Sequence, residues 1–144
     1  MVVSQQGVFV QVWTGSSDGA LFSMPISAEA DAPQPRRIRP AAPASASAGI
    51  TCITPVDQLM WVARMNGTIA VFDPRSETTS SEVTCRSARI SCMGVAGQHV
   101  WVGYSDRHIT VHDARNAELL YNVGDQGASL AATLLENSCN HADK

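Results

Sequence analysis

Charge is scarce in this chain. Asp, Glu, Lys and Arg make up 16% of its residues, against roughly a quarter in an average soluble domain. The balance is slightly acidic, at a formal net charge of −3, so there is no overall cationic footprint for nucleic acid or an anionic membrane. No run reaches the roughly 18 apolar residues that would cross a bilayer as a helix. The start, Met1 to Gln6, lacks the basic and apolar regions of an export signal. The expectation is a cytoplasmic protein without a membrane span.

Cysteine is sparse and wrongly spaced for zinc: Cys52, Cys85, Cys92 and Cys139 contain no Cys-x-x-Cys pair. Cys52 and Cys92 stand forty residues apart in matching surroundings, which suggests buried reduced thiols in equivalent strands rather than a disulfide. Catalytic signatures are missing too. There is no Gly-x-Ser-x-Gly, no His-Glu-x-x-His and no phosphate-binding Gly-x-x-x-x-Gly-Lys. His108 and His112 would share one side of a strand, but no third ligand recurs beside them; they read as solvated or locally bonded. Neither an enzymatic activity nor a cofactor nor a metal is expected within these residues.

What the chain does have is repetition. The stretch Leu59 to Asp73, with Trp61 on a first apolar run, Asn66-Gly67 at a turn and Phe72-Asp73 closing a second run, reads as a β-hairpin. It returns as Val100 to Asp113, with Trp101, Asp106-Arg107 and His112-Asp113, and precedes itself as Val12 to Phe22, with Trp13 and Asp18-Gly19. Forty residues separate Trp61 from Trp101 and forty-eight separate Trp13 from Trp61. Arg107 stands where the other copies carry glycine, which predicts a different turn there, because a side chain at positive φ is strained. Ile50-Thr51-Cys52-Ile53 and Ile90-Ser91-Cys92-Met93 supply a matching strand before each later hairpin.

Between the first two copies, residues 27–49 are dense in Pro, Ala and Ser and hold the single basic cluster, Arg36, Arg37 and Arg39. Such a composition cannot bury enough apolar surface to offset the entropy of ordering, so it reads as a loop or linker, with a short strand possible around Arg37-Ile38-Arg39. The arginines are mainly a solvated charge run; the sharper reading is a docking site for a phosphorylated or acidic partner.

A period near forty with four short strands per unit is the pattern of a β-propeller blade. The chain resembles the WD40-repeat family over about 7–26 and 49–135. Asp18, Asn66 and Asp106 occupy the place of that family's turn-fixing Asp. Phe72-Asp73 and His112-Asp113 stand in for its Trp-Asp pair, and its Gly-His pair is absent. A related propeller family with a Trp-Val-Gly second strand is similar as well. The expected fold is therefore all-β: about two to three four-stranded antiparallel blades belonging to a larger ring. The expected division is a partial first blade at 1–26 without a full inner strand of its own, the linker at 27–49, a second blade at 50–85, a third at 86–127 and the start of another at 128–144. Outer strands are expected around Glu82 to Cys85 and Glu118 to Tyr121. Since closed propellers have about four to eight blades, the remaining blades are expected in the same or another chain.

Trp13, Trp61 and Trp101 are expected to pack between blades with their indole N–H groups bonded locally, and the recurring Asp73 and Asp113 to fix turns rather than catalyse. The resemblance implies a non-catalytic scaffold for protein–protein contacts. Its alternative is the regulatory propeller region of a larger signalling enzyme, such as an inositol polyphosphate 5-phosphatase, with the catalytic domain elsewhere.

Overall fold

The computed structural model describes residues 2–6, 9–26, 34–38 and 48–124. These form three four-stranded antiparallel sheets and no helix. The first contains β1 (Val2–Gln6), β2 (Phe9–Gly15), β3 (Leu21–Ile26) and β4 (Arg36–Ile38); the second contains β5 (Ile50–Val56), β6 (Leu59–Arg64), β7 (Thr68–Asp73) and β8 (Thr78–Thr84); the third contains β9 (Ile90–Ala96), β10 (His99–Tyr104), β11 (Ile109–Asp113) and β12 (Leu119–Val123). Within each sheet the strands pair in chain order. The first strand of the second sheet, β5, packs beside both β1 and β9. The sheets therefore stack face to face as blades, with their first strands adjacent on the inside.

Stacking explains the middle sheet's sequence. Covered on both faces, β6 and β7 are buried almost throughout and read as nearly unbroken apolar runs, Leu-Met-Trp-Val-Ala and Thr-Ile-Ala-Val-Phe. The outer strand β8 alternates exposed and half-buried residues instead, as an edge with one wetted face should. Two cores result. One lies between the first and second blades around Trp13, Leu21, Ile38, Met60, Val62 and Phe72. The other lies between the second and third around Trp61, Ala63, Val71, Ile90, Val100 and Val102.

The first blade differs from expectation. It has an inner strand, β1, paired with β2 from Val2↔Trp13 to Gln6↔Phe9, because five residues and a short connection suffice for one. The short strand read as possible around Arg37-Ile38-Arg39 is present at Arg36–Ile38, where it pairs with β3 as the outer strand of this blade, and Ile38 joins the core. The outer strand of the second blade starts earlier than expected, at Thr78, and that of the third runs to Val123. The further unit expected at 128–144, with Cys139, lies outside the described residues.

The forty-residue repeat extends to irregularities that composition does not reveal. The pairing of β5 with β6 skips Thr51, and that of β9 with β10 skips Ser91. Likewise β8 bulges at Ser80 and β12 at Leu120. Left-handed backbone recurs in the same way, at Asp57 and Gly97 between first and second strands and at Glu77 and Ala117 between third and fourth.

Candidate functional site: turns and seams between the blades

The hairpin turn between second and third strands is built alike in every blade. Gly19, Gly67 and Arg107 take φ of 87°, 84° and 68°. Their amides donate to the carbonyls of Ser16, Arg64 and Tyr104 at 3.1, 3.2 and 3.3 Å. Contrary to the expectation of a different turn, Arg107 adopts the glycine geometry, held by its neighbours. The residue before each accepts an amide two positions on: Asp18 Oδ1 from Ala20, Asn66 Oδ1 from Thr68 and Asp106 Oδ1 from His108, at 3.1, 3.1 and 3.3 Å. Asp73 and Asp113 make the same local bond, accepting the Arg75 and Arg115 amides at 2.9 and 2.8 Å. Each of these five side chains spends one oxygen on the backbone of its own turn.

Charges tie the turns to adjacent blades. Arg86, between β8 and β9, places Nη2 and Nε 2.6 and 3.0 Å from Asp106 Oδ2. Burial alone would raise the Asp106 pKa, but the Arg86 hydrogen bond and the His108 amide outweigh it and hold the carboxyl below its usual range. Asp18 is lowered as well, chiefly by its hydrogen bonds from Ser16 and the Ala20 amide. Arg64 is buried; its Nη1 donates to the carbonyls of Ala48 and Gly19 at 3.3 and 3.5 Å, while its Nε has no partner. Desolvation pulls its pKa down, opposed by the charge of Glu82.

The basic cluster is divided. Arg36 Nη2 lies 3.1 Å from Glu77 Oε1 of the second blade, and Ser23 Oγ donates to the same oxygen. Arg37 is exposed at the neighbouring strand position, so it faces the other way. Arg39 lies outside the described residues. The structure thus shows a cross-blade ion pair at Arg36 where a continuous cationic patch was one reading.

Each seam is closed by an aromatic contact of one design. Trp13 on β2 meets Phe72 on the next blade's β7, with centroids 5.9 Å apart and planes tilted at 58°. Trp61 on β6 meets His112 on the next blade's β11 edge-on, at 6.1 Å and 77°. Tilted and edge-on pairs at this separation contribute about 0.5–1.5 kcal/mol beyond burial. Trp101, in the third blade, is only half-buried.

His112 is buried, not solvated, and His108 is not brought to it. Its Nδ1 lies 3.1 Å from the Ala117 carbonyl, which can only accept, so Nδ1 carries the proton. Its Nε2 lies 3.0 Å from Thr110 Oγ1 and 3.9 Å from Cys85 Sγ, and Tyr104 is 3.3 Å from the Thr110 hydroxyl. Desolvation lowers the His112 pKa against the opposing pull of the Ala117 bond. His108 instead turns back on Asp106 at 3.2 Å to its carbonyl. Burial pushes the Cys52 and Cys85 thiols up, but Cys92 is exposed, unlike the expected matching pair. Among the described residues no three His, Cys, Asp or Glu side chains are grouped as a metal site.

The second seam contains a cavity of about 180 Å³. Leu59 and Trp61 wall it from the second blade, Ala114 and Ala117 from the third, and Ser80, Ser81, Arg115 and Asn116 line it as well. The Trp61 indole is 1% exposed and its Nε1 has no hydrogen-bond partner; nor has Trp101 Nε1. Only Trp13 meets the expectation of a locally bonded indole, donating to Gln11 Oε1 at 3.3 Å. For Trp61 the difference lies two residues upstream: Leu59 occupies the place of Gln11 and has no acceptor to offer.

No protein-family model matches the chain, and no curated protein sequence does. Solved structures do. A computationally designed protein, Ika8, is similar over 86% of this chain and 36% of its own, at TM-score 0.65 and 17% identity. A chain of the mitotic checkpoint complex is similar over 85% and 37%, at 0.60 and 14%. The β-propeller domain of Cps50 (Swd1) from Myceliophteria thermophila is similar over 74% and 41%, at 0.56 and 14%. The fold is a partial β-propeller. At these identities the likeness is one of fold, and this chain spans only about two fifths or less of each of those chains.

Proposed function

We propose that this chain is a non-catalytic propeller segment that serves as a scaffold for protein–protein contacts. The observation that carries the reading is the division of labour among its polar residues. Asp18, Asn66, Asp106, Asp73 and Asp113, the carboxylates and amide that recur, all bond turn amides. What varies from blade to blade is presented at turns and seams on a rigid frame, where recognition on such folds is placed. Propeller neighbours support a scaffold in general.

Further blades, in this or another chain, belong to the same proposal. Trp13 and Trp61 each rest on the third strand of the following blade, and Trp101 is the third member of that series. The test is affinity capture with the tagged chain in cells, with quantitative mass spectrometry against a Gly67→Ala control that weakens the fold. A saturable partner lost in the control supports the scaffold. Equal backgrounds in both would overturn it.

A further inference from the structure

Resting on the reading that further blades complete this propeller, we propose that the blade seated on the third blade is the first blade of a second copy of this chain, so that two copies associate head to tail. A seam here has two unlike halves: a tryptophan on the second strand of one blade, and a side chain on the third strand of the next. Phe72 and His112 supply the second half in the two described seams and are fully buried there. Both hold one register position, paired with the residue just before their own blade's tryptophan, Met60 and Val100. In the first blade that position is Met24, paired with Val12.

Met24 is only half-buried. The core shared with the second blade takes Trp13 and Leu21 from β2 and β3, so strand alternation leaves Phe22, Met24 and Ile26 to the opposite face. Ile26 stands 47% exposed on it. The third blade is the converse case. Its Val100, Val102 and Tyr104 go to the core shared with the second blade, which turns Trp101 to the far face. Trp13 and Trp61 are 0% and 1% exposed in their seams, whereas Trp101 is half-buried. Tyr121, which shares that face through Val111, is 47% exposed. Trp101 thus lacks a third-strand residue to rest on, and Met24 lacks a tryptophan. The two free faces of one chain are the two halves of one seam.

Chemistry and number agree with that pairing. A methionine thioether makes favourable contacts with aromatic rings and adapts its shape to them, so Met24 suits an indole as Phe72 and His112 do. Closed propellers have about four to eight blades. Two copies of the three described blades make six, while a third copy would exceed that range. Head-to-tail contacts between copies close into a ring when the rotation allows it, and each end of the pair would then be covered.

Sedimentation equilibrium of the full chain across the micromolar range should show a species of twice the chain mass. Trp101→Glu and Met24→Glu each place a charge in one half of the seam, and each should weaken self-association by about thirtyfold or more, as loss of a central interface side chain does. An equimolar mixture of the two variants should associate again. The Met24→Glu copy brings an intact Trp101 and the Trp101→Glu copy an intact Met24, so one seam can still form; its recovery shows too that both variants fold. A chain that stays monomeric throughout would overturn the proposal. So would a dimer that either substitution leaves intact, or a mixture that stays apart although circular dichroism shows both variants folded. None of these outcomes bears on capture of a different protein by the tagged chain, so the scaffold reading stands or falls by its own test.

Discussion

Gly67→Ala should be the most damaging single-methyl change available in these blades. Two costs meet at this position. The φ of 84° places a side chain in left-handed backbone, which costs about 1–2 kcal/mol for an L-residue. A Cβ would also lie 1.8 Å from the Arg86 carbonyl oxygen and 2.8 Å from that of Ala88. These atoms are backbone in the connection from β8 to β9, so relief requires shifting the link between blades, at about 1–3 kcal/mol by analogy with overpacked cores. Restricting the unfolded chain returns about 0.4–1 kcal/mol. The net expectation is a loss of about 2–4 kcal/mol, or roughly 6–12 °C in Tm at about 3 °C per kcal/mol for a chain of this size. Urea denaturation followed by tryptophan fluorescence measures it directly. Gly94→Ala is the matched control: its Cβ would meet nothing within 4 Å, so it should be neutral or stabilising by up to about 1 kcal/mol. Should Gly67→Ala unfold within about 0.5 kcal/mol of the parent, inside the range of an ordinary surface change, the seam argument fails.

Other expectations rest on other residues. Arg107→Gly relieves left-handed strain at φ 68° and should stabilise by about 0.5–1 kcal/mol after the entropic cost of glycine, read from the same denaturation curves. His112→Phe copies the residue at Phe72 and should flatten the pH dependence of stability. Because burial lowers the folded-state pKa of His112, the unfolded chain binds the extra proton. The His112 contribution is thus complete above about pH 6.5 and erodes below it, by at most about 1.4 kcal/mol per pH unit, until the folded-state pKa is reached. Melting curves from pH 7.5 to 5 on both proteins decide the point; parallel curves would refute it. With iodoacetamide under native conditions, the exposed Cys92 should alkylate before Cys52 and Cys85, and peptide mass spectrometry that finds equal rates would contradict the burial assigned here.

Much of the blade design was legible because three kinds of local physics repeat at a fixed interval. Asn66-Gly67 signals its turn, the strands of the second blade show as apolar runs, and tryptophan marks each seam. What was hidden has no such signature. β4 was legible only as a possible short strand, because Ile38 alone is buried there, inside a stretch whose composition argues for a loop. β1 requires five residues and no motif. The left-handed positions Glu77 and Ala117 carry residues that backbone propensity would not select; their amides bond the carbonyls of Asp73 and Asp113 four residues back, at 2.8 and 2.9 Å. The seam cavity was less visible still. Its signal is a missing partner, Leu59 where Gln11 serves another blade, and only the hydrogen-bond inventory turns that difference into an unmet donor.

The repeat therefore separates two sorts of position. Where copies agree, as at Asp18, Asn66 and Asp106, one side-chain oxygen fixes the turn by accepting the amide two positions on. Where copies disagree, the fold has tolerated a cost that the sister blade avoids. Arg107 accepts strain that Gly19 and Gly67 do not feel. His112 brings a titratable ring into a seam that Phe72 fills with hydrocarbon. Leu59 leaves an indole donor unmet that Gln11 would have satisfied. Two of these costs have a local return: Leu59 packs against the core of its seam, and His112 bonds the Ala117 carbonyl and the Thr110 hydroxyl. Two of them, His112 and Leu59, converge on the seam between the second and third blades: the Trp61 indole that touches the His112 ring also lines the cavity beside Leu59. If the unmet Trp61 donor is a cost, Leu59→Gln, which offers the acceptor that Gln11 gives Trp13, should raise stability at neutral pH by about 1 kcal/mol, and urea denaturation that finds it no more stable than the parent would refute that reasoning.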